Sequence, residues 1–197
     1  MPTLKQLLLT ASMCCLVATA NAGPFDDADA AHDRGDYAQE LKILRPLAER
    51  GNPIAQFNLG SMYGEGQGVT QDYKEAVKWY RLAAARGFAR AQYNLGVMYS
   101  EGQGVIQDYK EANKWYRLAA AQGDAVAQHN LGVMYVAGRG VTQDDASAHM
   151  WFNLASSAGY ADGAKNRDII AKIMTPQQIE KAQEMARKCQ ERNFKGC

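Results

Sequence analysis

Apolar side chains in the middle of the chain recur every three or four residues. In the stretch 89–101 they fall on one face of a helix. The members of this stripe are Ala91, Leu95, Met98 and Tyr99. Gly102 and Gly104 follow, and glycine readily adopts the positive φ angles of a tight turn. The pattern predicts a helix that ends in this turn.

A second apolar stripe follows the turn. Asp108 stands at its start as the predicted N-cap, with Glu111 three residues later, a spacing typical of a capping box. The stripe consists of Ala112, Trp115, Tyr116 and Ala119. Gly123 then marks the end of the second helix. The unit is therefore a pair of helices joined by a glycine turn.

This two-helix unit repeats with a period of 36 residues. The stretches 53–88 and 89–124 are identical at 27 of 36 positions, and 125–160 keeps the same skeleton. A fixed period of this length is the signature of a solenoid. One helix position is always tryptophan, predicted to be core, and another is always glycine. These are Trp79, Trp115 and Trp151, and Gly60, Gly96 and Gly132. Glycine costs about 1 kcal/mol against alanine inside a helix, so its recurrence predicts a close approach between helices.

The two ends of the described pattern diverge from the regular unit. Residues 24–51 are predicted to form a divergent first helix pair, and residues 161–197 to form C-terminal capping helices. Thr175 followed by Pro176 and Gln178 is a clear helix start. The apolar stripe of that last helix should cover the exposed core of the fourth copy. It consists of Ile179, Ala182, Met185, Ala186 and Cys189.

The repeated order A-x-x-x-L-G-x-M-Y-x-x-G-x-G-V-x-x-D-Y-x-x-A-x-x-W-Y-x-x-A-A-x-x-G resembles the Sel1-like repeat, a relative of the tetratricopeptide repeat. The resemblance implies an all-α fold, a right-handed α-solenoid of antiparallel helix pairs whose first helices line the concave side. It also implies an adaptor that binds another protein or a peptide without catalysis. One exported, cysteine-rich branch of the family is reported to bind or hydrolyse penicillin-like compounds. That branch places a C-x7-C pair in each repeat, whereas residues 53–160 contain no cysteine.

Positions that differ between copies are the better candidates for a binding groove, because shared positions are needed for stacking. One aromatic series changes from copy to copy and stands just before an asparagine that does not change. The candidate groove residues are Phe57, Asn58, Arg90, Tyr93, Asn94, His129 and Asn130. An asparagine amide can donate to and accept from a peptide backbone, so the three asparagines could hold an extended segment. Alternatively, each asparagine bonds the adjacent repeat.

The charge balance and the absence of catalytic motifs exclude several classes of function. Lys5 carries the only charged side chain among the first 22 residues, so the remaining chain carries equal numbers of basic and acidic side chains. Nucleic acids and anionic membranes both require a basic surface, so neither is the expected partner. The sequence contains no G-x-S-x-G, H-E-x-x-H, Walker or dinucleotide motif. We therefore expect no catalytic residue, cofactor or metal; the alternative is a β-lactam hydrolase of the cysteine-rich branch.

The first 22 residues have the pattern of a secretory signal peptide. Lys5 is followed by a mostly apolar run, and Ala20 and Ala22 form an A-x-A cleavage site. The run is too short to span a bilayer. Cleavage after Ala22 would leave a periplasmic or secreted protein without stable membrane insertion. A lipid anchor on Cys14 or Cys15 fits less well, because the preceding residue is not Gly, Ala or Ser.

Signal cleavage would reduce the four cysteines to two, Cys189 and Cys197. An even number of cysteines in an exported protein favours a disulfide. Such a bond would stabilise the fold by roughly 2–3 kcal/mol on the chain-entropy description. Two unrelated free thiols are the alternative.

We predict that Cys189 and Cys197 are bonded to each other. Titration of the unreduced, denatured chain from Gly23 onward should therefore find no free thiol, and the same chain after reduction should provide two. Two titratable groups before reduction would rule the bond out.

Overall fold

The computed structural model describes residues 23–197, and every regular element in that range is an α-helix. The helices run α1 Pro24–Asp33, α2 Tyr37–Glu49, α3 Pro53–Glu65, α4 Tyr73–Ala85, α5 Ala89–Glu101, α6 Tyr109–Ala120, α7 Ala125–Ala137, α8 Asp145–Ser157, α9 Ala161–Ala171 and α10 Pro176–Glu191. The proposed signal peptide lies outside the described residues. From residue 23 onward no helix is both long and apolar enough to cross a membrane.

Each helix packs against the next along the chain from α1 to α9, and α10 returns to pack against α8. This sequential packing of helix pairs confirms the predicted all-α solenoid. The first helices of the pairs are α1, α3, α5, α7 and α9, and the second helices are α2, α4, α6 and α8.

The caps and turns of the unit form largely as predicted. The Asp108 carboxylate accepts hydrogen bonds from the backbone N–H groups of Lys110 (2.8 Å) and Glu111 (3.1 Å). The predicted capping box at Asp108 and Glu111 is wrong, because the Glu111 side chain forms an ion pair with Lys114 instead. Gly104 has a φ of 68°, and a Cβ there would collide with the Tyr73 carbonyl oxygen of the preceding repeat. The glycine turn therefore also joins neighbouring repeats.

The recurring helix glycines allow a ring of the second helix to lie on the backbone of the first. A Cβ on Gly60 would lie 2.7 Å from the Tyr80 ring, and one on Gly132 would lie 2.5 Å from the Phe152 ring. Gly96 makes the same contact with Tyr116. The predicted close approach is confirmed, and a side-chain ring, rather than a second backbone, is the neighbour.

The last repeat differs from the others because α10 covers it. Ser147 and Met150 replace the Glu111–Lys114 ion pair of α6, which removes charge from the face on which α10 docks. Leu154 is 1% exposed there, whereas the corresponding Leu118 is 47% exposed. The predicted capping role of this helix is confirmed.

The repeated tryptophans also differ in burial between the last repeat and the others. Trp151 is 1% exposed, whereas Trp79 and Trp115 are only partly buried. All three thus pack in or against the core, as predicted, but only Trp151 is fully buried. The packing of α10 against α8, the helix that carries Trp151, explains the difference.

The end of α10 carries the two cysteines. Thr175 and Gln178 form the predicted capping box at its start, with bonds of 2.8 and 3.3 Å. At its other end the structure places the sulfur atoms of Cys189 and Cys197 2.04 Å apart. Their bonding in solution stays a prediction for the thiol titration.

We predict opposite effects for alanine at two glycines of α3. Gly60→Ala should destabilise the fold by about 1–3 kcal/mol, because its methyl group overlaps the Tyr80 ring. Gly64→Ala meets only Ala76 at 3.8 Å and should stabilise the helix by up to about 1 kcal/mol. Urea unfolding of both variants measures the difference. Equal midpoints would show that the ring contact does not determine the helix spacing.

We also predict that His149 weakens the fold at acid pH. The side chain is 3% exposed, and burial, aided by the charge of Arg167, lowers its pKa while Asp168 acts in the opposite direction. Above about pH 6.5 the histidine is neutral in both states. Below that value the unfolded chain takes up a proton that the folded chain resists, so stability falls as the pH decreases, by at most about 1.4 kcal/mol per pH unit.

The measurement is urea unfolding between pH 7.5 and pH 5, with His149→Gln as the non-titrating comparison. The variant should lose less stability on acidification than the parent. His32→Gln is the contrasting control, because the hydrogen bond to Glu40 raises the pKa of His32. His32 therefore favours the folded state below about pH 6.5 and loses that contribution as the pH rises. Identical pH profiles for the parent and His149→Gln would contradict the assignment.

Candidate functional site

A series of recesses follows the first helices of the repeats. The recess between α1, α2 and α3 has a volume of about 310 Å³, and the two beside α5 and α7 measure about 270 Å³ each. A further recess of about 290 Å³ lies between α7, α8 and α9. One asparagine lines each of them, and the four asparagines are spaced 36 residues apart. We call them the asparagine row: Asn58, Asn94, Asn130 and Asn166.

The fourth member of the row was missed by the sequence analysis. The stretch 161–174 lacks the L-G-x-M-Y core of the repeat, so its helix was interpreted only as a cap. The 36-residue spacing from Asn130 was the signal that could have found Asn166. Its amide nitrogen lies 2.8 Å from Nε2 of His129, in the preceding repeat. This contact requires that Nε2 accepts the hydrogen bond, with any ring proton on Nδ1.

Aromatic side chains of the second helices lie behind the asparagines. Tyr80 lines the recess of Asn94, and Tyr116 lines that of Asn130. The Tyr80 hydroxyl lies 3.1 Å from Ser61 Oγ. Burial raises the pKa of Tyr80, and hydrogen bonds from Ser61 and Asn94 oppose that rise. The row is thus partly held by contacts to the preceding repeat, which is the alternative role that the sequence analysis left open.

These contacts do not use all the hydrogen-bonding groups of an asparagine side chain. The amide offers two N–H donors and a carbonyl oxygen with two lone pairs. All four asparagines remain partly exposed. Each can therefore contact its neighbouring repeat and still bond a ligand from the recess.

The changing aromatic residues lie against their own repeat. Phe57 packs with its centroid 5.7 Å from that of Tyr80, and Tyr93 lies 5.9 Å from Tyr116. His129 contacts Phe152 at 5.4 Å. All three are half-buried, and Tyr93 alone among them lines one of the four recesses described above. Their use as anchors for a partner stays a prediction.

Arg90 occupies a different place from the other candidates. It is exposed near the start of α5 and lines none of the four recesses. The structure therefore brings Asn58, Tyr93, Asn94 and Asn130 to the recesses and leaves Arg90 outside them.

The recesses differ in chemical character along the row. The first contains the carboxylate of Glu40, which is buried and bonded to His32 Nδ1 at 3.0 Å. The last is apolar apart from Asn166. Its walls are Val133, Val136, Phe152, Ile169, Ile170 and Ile173. A ligand that extended along the whole row would meet polar groups at one end and aliphatic groups at the other.

The described histidines, cysteines and carboxylates do not form a metal centre. Within residues 23–197, no three of these side chains gather at a distance that could hold a metal ion. The histidines are separated, with His32 beside Glu40, His129 beside Asn166, and His149 buried in α8. What the site offers is hydrogen bonding by amides, backed by aromatic rings.

Comparison with known proteins gives one family and two similar structures. The family description "Sel1 repeat" matches residues 53–88, 89–124 and 125–160. A protective antigen present in uropathogenic Escherichia coli strains, displaying an SLR fold, is 33% identical with a TM-score of 0.73 over 85% of this chain and 39% of its own. A Sel1 repeat protein from Oxalobacter formigenes is also 33% identical, with a TM-score of 0.70 over 76% of this chain and 59% of its own. The chain thus spans less than two thirds of either neighbour. No curated protein matches it.

Proposed function

The chain belongs to the Sel1 repeat family, and on that premise we propose that it is an exported scaffold that binds an extended segment of another protein along the asparagine row. Sel1 repeats generally serve protein–protein interaction. The observation that carries the proposal is the regular row itself, with one partly exposed asparagine in each of four successive recesses.

The chemistry of asparagine suits an extended backbone. A peptide in this conformation presents N–H and C=O groups at regular intervals, and an amide side chain can serve both. Repeated backbone contacts provide affinity without selecting a sequence, while neighbouring pockets select side chains. Each direct bond contributes about 1 kcal/mol net. Hydrogen bonds from four asparagines would therefore give moderate affinity. The recesses would increase it by burying side chains of the peptide.

Export is part of the proposal. Its support is the signal-like sequence of residues 1–22 together with the similarity to a protein described as a protective antigen. An exported scaffold would meet its partner in the periplasm or outside the cell. The even pair of cysteines, Cys189 and Cys197, fits such an oxidising location.

The alternative of a β-lactam hydrolase has no specific structural support. The cysteine-rich branch that suggested it has cysteines within its repeats, whereas Cys189 and Cys197 lie outside residues 53–160. Turnover of nitrocefin by the purified chain would favour the hydrolase over the scaffold.

We predict that the asparagine row determines binding of extended peptides. Peptides are selected from a random-sequence display library on the chain from Gly23 onward, and their affinities are then measured by fluorescence anisotropy. Asn94→Ala and Asn130→Ala should each weaken binding about fivefold, the equivalent of one hydrogen bond of about 1 kcal/mol. The free energy of unfolding, measured in urea, should change by no more than about 1 kcal/mol in either variant.

The matched control is Asn153→Ala, which removes a half-buried asparagine from α8, outside the row. Peptide affinity should not change in this variant. If Asn94→Ala and Asn130→Ala bind as tightly as the parent chain, or if the library provides no binder at all, the proposed function is wrong.

A further inference from the structure

The chain after α10 folds back onto the second helices of the repeats. We call residues 192–197 the tail. Phe194 and Cys197 pack against the core cluster that contains Trp151 and Met150. Asn193 and Phe194 adopt φ angles of 50° and 62°, a left-handed conformation that asparagine tolerates and phenylalanine rarely takes. The tail is therefore held in a turn that Phe194 does not favour.

Arg117 on α6 contacts the tail directly. Its Nη1 donates a hydrogen bond to the backbone carbonyl of Cys197, 80 residues later. Its Nε donates to Asn113 Oδ1 at 2.9 Å, and its Nη2 to the Tyr135 hydroxyl. The guanidinium carbon also lies 5.9 Å from the centroid of the Trp151 ring. Arg117, Tyr135 and Trp151 thus form a site, which we call the Arg117 site, that a backbone carbonyl of the same chain occupies.

The other repeats show what this site is like without a tail. Arg45 donates to the Tyr63 hydroxyl at 3.0 Å, and Arg81 donates to that of Tyr99. Both arginines are exposed, whereas Arg117 is half-buried. The arginine–tyrosine pair is therefore a property of the repeat and needs no tail. The carbonyl contact is added only where the tail folds back.

The Cys189–Cys197 bond, whose formation in solution the thiol titration tests, would hold the tail in place. It joins Cys189, buried within α10, to the residue whose carbonyl Arg117 binds. Closing such a short loop removes much of the conformational freedom that the tail would otherwise gain on release. Without the bond, the unfavourable backbone conformation of Phe194 would oppose the contacts of the tail.

We propose that the tail is a redox-operated cover over the Arg117 site, an interaction site formed by α6, α7 and α8. A dithiol transfers two electrons and two protons to the sulfur–sulfur bond, which breaks to give the Cys189 and Cys197 thiols while the dithiol becomes a disulfide. The released tail uncovers Arg117 and widens the neighbouring recess of about 210 Å³, in which Gly196 and Cys197 of the tail form one wall beside Tyr135, Met150 and Trp151. The partner that fits this site resembles the tail: an extended segment that presents a backbone carbonyl or a carboxylate beside an apolar side chain. This surface is separate from the asparagine row.

Hydrogen exchange of the chain from Gly23 onward, measured by mass spectrometry, tests the cover. Reduction with excess dithiothreitol should increase the exchange rate of the tail amides by roughly 50- to 100-fold. This factor corresponds to the entropy that a disulfide removes when it closes so short a loop. Exchange within α8 should change little, because the helix keeps its packing on α7 and α9. Unchanged tail exchange after reduction would overturn the proposal, since the tail would then be held without the bond.

A peptide that copies residues 190–197, with serine in place of Cys197 and a fluorophore at its N-terminus, tests the uncovered site. By anisotropy it should bind the reduced chain and not the oxidised one. Arg117→Ala should abolish this binding. Arg81→Ala, which loses the same kind of arginine–tyrosine bond one repeat earlier, should leave it intact. Equal binding to oxidised and reduced chains, or binding that survives Arg117→Ala, would overturn the proposal.

Discussion

The contact between an aromatic ring and a helix glycine determines the geometry of every regular repeat. Tyr80, Tyr116 and Phe152 lie so close to Gly60, Gly96 and Gly132 that no Cβ fits between them. The loss of helix propensity at each glycine, about 1 kcal/mol, is offset by burial of a large ring. Because the ring passes beside the first helix, it also forms the back of the recess in which the next asparagine lies. Core packing and the candidate site thus depend on the same contact.

Much of this could be predicted from local pattern. The apolar stripes, the Asp108 cap and the glycine turn each depend on residues within one unit, and the structure confirms them. The fate of Glu111 was less predictable, because both the N-cap backbone and Lys114 lie within its reach. The complete burial of Trp151, in contrast to the partial burial of Trp115, depends on α10, which is distant in sequence from both. In retrospect, Met150 and Ser147 in place of a charged pair indicate where α10 docks.

The asparagine row was predicted only in part, because only some of its members lie in regular repeats. Asn58, Asn94 and Asn130 stand in well-preserved units, so their repetition was visible. Asn166 keeps the period in a helix that has lost the rest of the motif, and only the structure shows that it lines a recess. The ring contacts of Phe57, Tyr93 and His129 with their own second helices could not be deduced from the 36-residue period. The two kinds of helix also differ: the first helices carry recesses and amides, and an arginine of each of α2, α4 and α6 bonds a tyrosine of the next first helix. The last of these arginines, Arg117, also holds the tail.

The central claim is that the amides of the asparagine row bind the backbone of a partner. Their side-chain N–H signals in a ¹⁵N-correlated NMR spectrum report on this directly, once each is assigned by single substitution. Addition of a display-selected peptide to the isotope-labelled chain should shift the signals of Asn58, Asn94, Asn130 and Asn166, and leave that of Asn153 unchanged. If the peptide binds while the four signals stay in place, and the shifted signals come from α4, α6 and α8 instead, the row is a structural feature of the stack and the binding surface lies on the opposite face.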